Sequence, residues 1–447
     1  MKFSLKKSLS LLLVLAVLFG TIAAGSVTGY AAPAQTGAAA ETAQIKAALA
    51  DAPNPVVVVP GIGMSDVSLF DDQGNEISNS GTFKNRWRVL NLSTEEILAD
   101  IWKLVPKALL SIMLQRDMGL SNVVRDYMPE MFRYTKHDLN GKSIENVRAI
   151  ERNYPLSQYD ADARGDFFNM MPMEDYVGQI GEDRIYCFNF PPFCNTYDQA
   201  ARLNTFIKMV KQQTGAQKVN LVPLSLGATV TNAYFDDYAD QHDVAKVVRI
   251  VGASDGSYVF ADLVSQNYSV NSARLFYRDI GPQLMNGYQG YLLNIAIRIL
   301  PKKVMNNVLD AAFEVVRSDF FVNTPSMWSI VPADRYEALA DTYLGDAEHA
   351  AIKAQTDKYY AYQSHLQENV NALIADGVQI YNICGYGFNI GHGWGDYQYF
   401  QFFKCADDIN SDGVIQLAST GMGTTSAAPG TTFPADYVQQ NTNCQNP

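Results

Sequence analysis

The sequence predicts an α/β protein built on a mostly parallel sheet with helices on both faces, on three observations. The first is Pro55-Val-Val-Val-Val-Pro60, four consecutive valines between prolines, a pattern that suits a strand buried on both faces. The second is alternation: apolar strand runs at 184–190, 218–222, 244–251 and 377–384 are separated by helical patterns, as connected parallel strands require. The third is bulk. Of the 447 residues 47% are hydrophobic and 18% charged, enough to bury a large core.

The opening residues address the compartment. Lys2, Lys6 and Lys7 precede an apolar run from Leu9 to Phe19, and small residues follow. This is the pattern of a secretory signal peptide, and it is shorter than a membrane-spanning helix, the alternative reading. Residues 1–32 are therefore read as a signal peptide, 33–53 as a linker and 54–447 as one α/β domain, secreted or extracytoplasmic. A net charge of -12 excludes nucleic acid as a partner, because no basic stripe exists to neutralise phosphates. Export permits disulfides, and Cys187 with Cys194 are candidates to bridge the segment between them; an odd count of five leaves one thiol over. No cysteine or histidine cluster has zinc spacing, and no cofactor is expected.

Val67 to Asn75 predicts a small hairpin. A helix is predicted from Ser93 or Thr94, interrupted at Pro106 and resumed through Met113. The segment 64–181 reads as one insertion and 254–375 as another, mostly helical, with a tail at 421–447. Trp102, Met113, Tyr127, Met131 and Phe132 are read as core residues, with a lipid-facing lid as the alternative. Thr196 to Thr214 predicts a helix whose Ala200, Leu203, Phe206, Ile207 and Val210 form the buried stripe.

The chemistry lies at Val222-Pro-Leu-Ser225-Leu-Gly227. A serine on a sharp strand-to-helix turn needs small neighbours, so that its hydroxyl projects and the next N–H faces a developing oxyanion. Gly227 meets that need; Pro223 stands where glycine is usual. Upstream, Val59-Pro-Gly61-Ile62-Gly63 occupies the place from which the second oxyanion donor comes, and Gly61 and Gly63 let the backbone approach a substrate oxygen.

These motifs resemble the lecithin:cholesterol acyltransferase-like family of α/β hydrolases, which includes acyltransferases and phospholipases. The resemblance runs from about Pro55 to Thr420. It rests on Val-Pro-Gly-Ile-Gly, the strand with Pro191-Pro192, the Ser225 turn, Ser254-Asp-Gly-Ser257, Thr324-Pro-Ser-Met-Trp-Ser-Ile-Val-Pro332, Asn382-Ile-Cys-Gly-Tyr-Gly387 and Ser411-Asp-Gly-Val-Ile-Gln-Leu-Ala-Ser419. It implies the α/β-hydrolase fold, with a lid in 64–181 and a cap in 254–375. It implies Ser225 as nucleophile, Leu226 and Ile62 as oxyanion donors, Asp412 as the acid, and Ser257 and Trp328 in substrate binding. The implied activity is acyl transfer or hydrolysis on a lipid or other hydrophobic ester, with transient membrane-surface contact. The alternative is a non-catalytic protein that binds a hydrophobic ligand on the same scaffold.

One departure is plain. In this fold the triad runs serine, acid, histidine along the chain, yet His137, His242, His349, His365 and His392 all precede Asp412. The sequence reading expects a final strand and histidine beyond residue 447, with His392 in its glycine-rich loop as the alternative base. Asp408-Ile-Asn410-Ser-Asp412-Gly also matches the first half of a calcium loop, but Ser419 stands where the bidentate carboxylate belongs. No metal is expected.

Overall fold

The computed structural model describes residues 53–77, 104–265, 300–386, 388–389 and 409–422. The expected signal peptide, most of the expected linker and tail, Trp102 and His392 lie outside them. Five strands form one parallel sheet: β1 (Val56–Val59), β4 (Ile185–Cys187), β5 (Val219–Pro223), β6 (Val244–Ile250) and β7 (Gln379–Ile383), in the order β4-β1-β5-β6-β7. β1 lies between β4 and β5, with Val57 opposite Tyr186 on one side and Leu221 on the other. Its valines divide by parity. Val57 and Val59 join the core on one face, with Ala200, Leu203 and Val230, while Val56 and Val58 join Leu156, Phe167 and Val177 on the other. Each buried valine contributes about 1.5–3 kcal/mol of transfer free energy.

Between β1 and β4 lie β2 (Val67–Leu69), α1 (Leu104–Leu114), α2 (Leu120–Met131), β3 (Val147–Ala149), α3 (Ala161–Met170) and α4 (Glu174–Ile180). The expected hairpin is half right: the chain turns at Asp71–Asn75, but the main partner of β2 is the distant β3, antiparallel. Pro106 does not interrupt its helix. It sits in the first turn of α1, where the missing N–H has no intrahelical partner to lose. Leu109, Leu110, Met113 and Leu114 are exposed on α1, whereas Phe132 is fully buried.

Beyond β4 runs α5 (Thr196–Thr214). Asn195 caps its start through hydrogen bonds from the Tyr197 and Asp198 N–H groups, and Gly215 ends it in the left-handed conformation. All five residues of its predicted stripe are buried. α6 (Gly227–Tyr238) follows β5. Between β6 and β7 come α7 (Tyr258–Ser265), α8 (Lys302–Val315), a π-helical turn Val316–Phe321, α9 (Pro325–Trp328), α10 (Ala333–Tyr343), α11 (Ala350–Gln363) and α12 (Leu366–Ala375). The two insertions pack on each other. α2 lies along α8, with Arg125 2.8 Å from Glu314, and Lys136 reaches Asp319 at 2.7 Å. After β7, β8 (Phe388–Asn389) pairs antiparallel with β9 (Asn410–Ser411), and α13 (Leu417–Thr420) follows. An all-parallel sheet in this order, with a strained serine turn after β5, is the α/β-hydrolase arrangement.

Cys187 and Cys194 do not bond; both are free and buried. Cys187 belongs to the core on one face of the sheet and Cys194 to the core on the other, so sequence proximity gives them no shared space. Burial pushes both thiols up to about 12.

His137 bridges the insertions. Its Nδ1 lies 2.8 Å from the Thr135 carbonyl and 3.2 Å from Thr324 Oγ1. Burial pulls its pKa from 6.5 to about 4, so the unfolded chain binds the extra proton first. Stability therefore declines as pH falls through that window, by about 2 kcal/mol between pH 7 and 4.5. Urea denaturation of the protein and of His137→Asn at both pH values is expected to show that part of the decline vanish in the variant.

Candidate active site

β5 ends at Pro223 and α6 begins at Gly227, leaving Leu224, Ser225 and Leu226 to make the turn. Ser225 has φ +45°, a left-handed conformation that costs a non-glycine residue about 1–2 kcal/mol. The turn is fastened on all sides. Leu224 N–H donates to the Val59 carbonyl (2.9 Å) and Ser225 N–H to the Ile250 carbonyl (3.1 Å). The Ser225 carbonyl accepts from Ala228 (3.1 Å) and Ala253 (3.0 Å). A backbone so held is a strained residue that its surroundings determine.

Two glycines allow the fit. A Cβ at Gly227 would lie 2.1 Å from the Val59 carbonyl oxygen, and one at Gly61 would lie 3.0 Å from the Ser225 Cβ. The loop after β1 is thus pressed against the serine turn, as the sequence places it. Gly61 N–H donates to Met64 Sδ (3.2 Å), and Gly63 takes φ +77° to close the turn. Neither Ile62 N–H nor Leu226 N–H has an acceptor among the described residues, and Leu226 sits at the N-terminus of α6, where the helix dipole favours negative charge.

Asp412 follows β9 directly. A Cβ at Gly385, just past β7, would meet the Asp412 Cβ at 2.4 Å, so the aspartate stands at the carboxyl end of the sheet, the end that carries Ser225. Its Oδ1 accepts the N–H groups of Val414 (2.8 Å) and Ile415 (2.7 Å). Burial raises its pKa above the ordinary value, and those hydrogen bonds oppose the rise. The carboxylate closes its own turn through Oδ1; Asp408, the first residue of the half calcium loop, lies outside the described residues. Among the described residues no group of three acidic, histidine or cysteine side chains could hold a metal.

The segment after β6 anchors this acid loop, which the sequence did not reveal. Ser257 Oγ donates to the Val414 carbonyl (2.5 Å), Tyr258 N–H to Gln416 Oε1 (3.2 Å) and Asp255 N–H to Ser419 Oγ (2.9 Å). Burial pushes Asp255 up to about 6, opposed by the Ala333 N–H and by Gln363. The Ser257 hydroxyl is thus committed within the protein. Trp328 is also buried, its indole N–H donating to the Val322 carbonyl at 3.0 Å and its ring packed against Phe321 and Tyr336.

None of the four described histidines has Ser225 or Asp412 as a partner. His137 lies between the insertions. His242 precedes β6, at the opposite end of the sheet, and pairs with Asp376 at 2.6 Å. His349 binds Asp346 at 2.8 Å, and His365 lies within hydrogen-bond reach of the Ala361 carbonyl. A cleft of about 440 Å³ lies beside β4 and α5, lined by Arg152, Phe188, Arg202 and Phe206 among others, and none of Leu224, Ser225 and Leu226 lines it.

No family model matches the chain. Among solved structures, a chain in the crystal structure of a Tle4–Tli4 complex is similar at 13% identity with a TM-score of 0.28, covering 71% of this chain and 72% of that one. A protein assigned as an aryl esterase from Burkholderia cenocepacia is similar at 17% identity with a TM-score of 0.13, covering 39% of this chain and 72% of its own. The fold rests on the strand order and the serine turn described above, not on these likenesses.

Proposed function

We propose that this chain is an exported serine acyl-transfer enzyme, a lipase, phospholipase or O-acyltransferase that acts on lipid or other hydrophobic esters. The observation that carries the reading is Ser225 at φ +45°, over-determined by four hydrogen bonds and pressed by Gly61. No structural need explains a strained serine there, since glycine would adopt the turn without cost. The motif resemblance to the lecithin:cholesterol acyltransferase-like family supports the same reading. The exposed apolar residues of α1 suit a hydrophobic substrate or transient contact with a membrane surface.

In this mechanism Ser225 Oγ attacks the ester carbonyl carbon and its proton passes to a histidine. The oxygen that gains charge is held by the Leu226 and Ile62 N–H groups. The C–O bond to the leaving alcohol breaks, and that alcohol takes the proton. Water or a second alcohol then attacks the acyl-serine by the same steps in reverse. Asp412 orients the histidine. None of the four described histidines touches Ser225 or Asp412, so within this chain His392, the alternative base, is the one to test. Loss of turnover in His392→Ala assigns it, whereas retained turnover excludes it.

A fluorophosphonate probe tests the proposal directly. Mass spectrometry is expected to find the adduct on Ser225. No adduct, together with tight retention of a hydrophobic ligand, would favour the non-catalytic binding protein. Asp412→Asn is expected to lower kcat by about 10²–10⁴-fold while the thermal transition stays in place.

A further inference from the structure

Arg249, on β6, is wholly buried. A guanidinium stays protonated in a protein, and a buried charge without a partner costs several kcal/mol. Its Nη1 donates to Asn232 Oδ1 (2.9 Å) and Ser254 Oγ (3.1 Å), both neutral. Among the described residues Nε and Nη2 have no partner. These two are the atoms whose N–H bonds point the same way along one edge of the guanidinium, the fork that matches an anion.

The surroundings are polar, uncharged and similarly incomplete. Tyr362 and Tyr359 both lie close enough to act on the charge of Arg249. Burial raises both phenols, Tyr362 to about 12, so neither supplies a negative charge. The Tyr362 hydroxyl is buried without a partner among the described residues, while Tyr359 Oη accepts from Asn232 Nδ2 at 3.2 Å. Asn382 is the register partner of Arg249 on β7, and its side-chain oxygen is also buried and unpaired. A side-chain amide can present either end; turned over, Asn382 offers two donors on the same face of the sheet. Asp255 is held by Ala333 and Gln363.

We propose that the Nε–Nη2 edge of Arg249, with the Tyr362 hydroxyl, seats a small inorganic anion of the chloride type between β6, α6 and α11. The anion supplies the missing counter-charge and accepts the unmade hydrogen bonds. The site is distinct from the acyl-transfer site and independent of it, so its test needs no activity.

The test has two arms, both on the full chain. Thermal unfolding is followed in sodium chloride and in sodium gluconate at one ionic strength, gluconate being too large to enter. Chloride at about 100 mM is expected to raise the Tm of the protein by about 3–5 °C over gluconate. Arg249→Met, which keeps the length and removes the charge, is expected to lose that difference, and Tyr362→Phe to reduce it. In the second arm, crystals grown in sodium bromide are expected to show an anomalous peak within hydrogen-bond reach of Arg249 Nε and Nη2. Equal Tm values in the two salts, or a chloride effect that persists in Arg249→Met, would overturn the proposal. If Arg249→Met does not fold, the bromide peak on the unaltered chain decides, and its absence overturns the site.

Discussion

Ser225→Ala is expected to abolish fluorophosphonate labelling and to lower ester hydrolysis by at least about 10³-fold, with folding unaffected. Alanine keeps the Cβ and therefore the strained backbone at φ +45°; only the hydroxyl oxygen, the proposed nucleophile, is lost. Ser225→Gly separates strain from chemistry. Glycine populates that region freely, so this variant is expected to be equally inactive yet more stable, by about 1 kcal/mol in urea denaturation. A site that stores strain for function gives this opposition of stability and activity. Unchanged labelling of Ser225→Ala would end the enzyme reading. A loss of stability in Ser225→Gly would show that the serine side chain has a structural role the hydrogen bonds do not reveal.

Gly227→Ala carries the largest expected cost in stability. The added methyl would lie 2.1 Å from the Val59 carbonyl oxygen and 2.8 Å from that of Pro60. That oxygen cannot retreat cheaply, because it accepts the Leu224 N–H and β1 is paired on both edges with β4 and β5. A loss of about 3–5 kcal/mol is expected, the range in which forced backbone movement in a core falls. Labelling of Ser225 is expected to fall as well, because the Gly61–Gly63 loop follows β1 directly and moves with it. Gly178→Ala is the control. Gly178 lies in α4 with nothing within 4 Å of its added Cβ, so alanine there is expected to add about 0.5–1 kcal/mol through helix propensity. If the two variants change stability alike, the close approach at Gly227 is not what fixes the turn.

Much of this architecture was legible in the sequence because its signals are local. The four valines of β1, the stripe of α5, and the strand-turn-helix at Ser225 each follow from periodicity or turn chemistry within about twenty residues. Gly227 announced a close approach, although not to which atom. Long-range partners were not legible. β2 pairs with β3 nearly eighty residues away, and no local pattern names that partner. The candidate bridge between Cys187 and Cys194 does not form because Cys187, on β4, packs into one core while the chain beyond the strand carries Cys194 into the other, a placement that spacing alone conceals.

The sequence by itself determined that a serine sits on a sharp turn between a buried strand and a helix, since that demands only small residues at fixed offsets. It determined likewise that a glycine loop closes an earlier strand. The tertiary structure alone decided that these two segments touch, because β1 and β5 are neighbours only through the sheet order β4-β1-β5-β6-β7. It also decided that Asp412, far along the chain, comes to the carboxyl end of that sheet beside Gly385, and that Arg249 lies buried with no counter-charge among the described residues. Dihedral preferences and periodicity are written residue by residue; proximity and desolvation exist only once the chain has closed on itself.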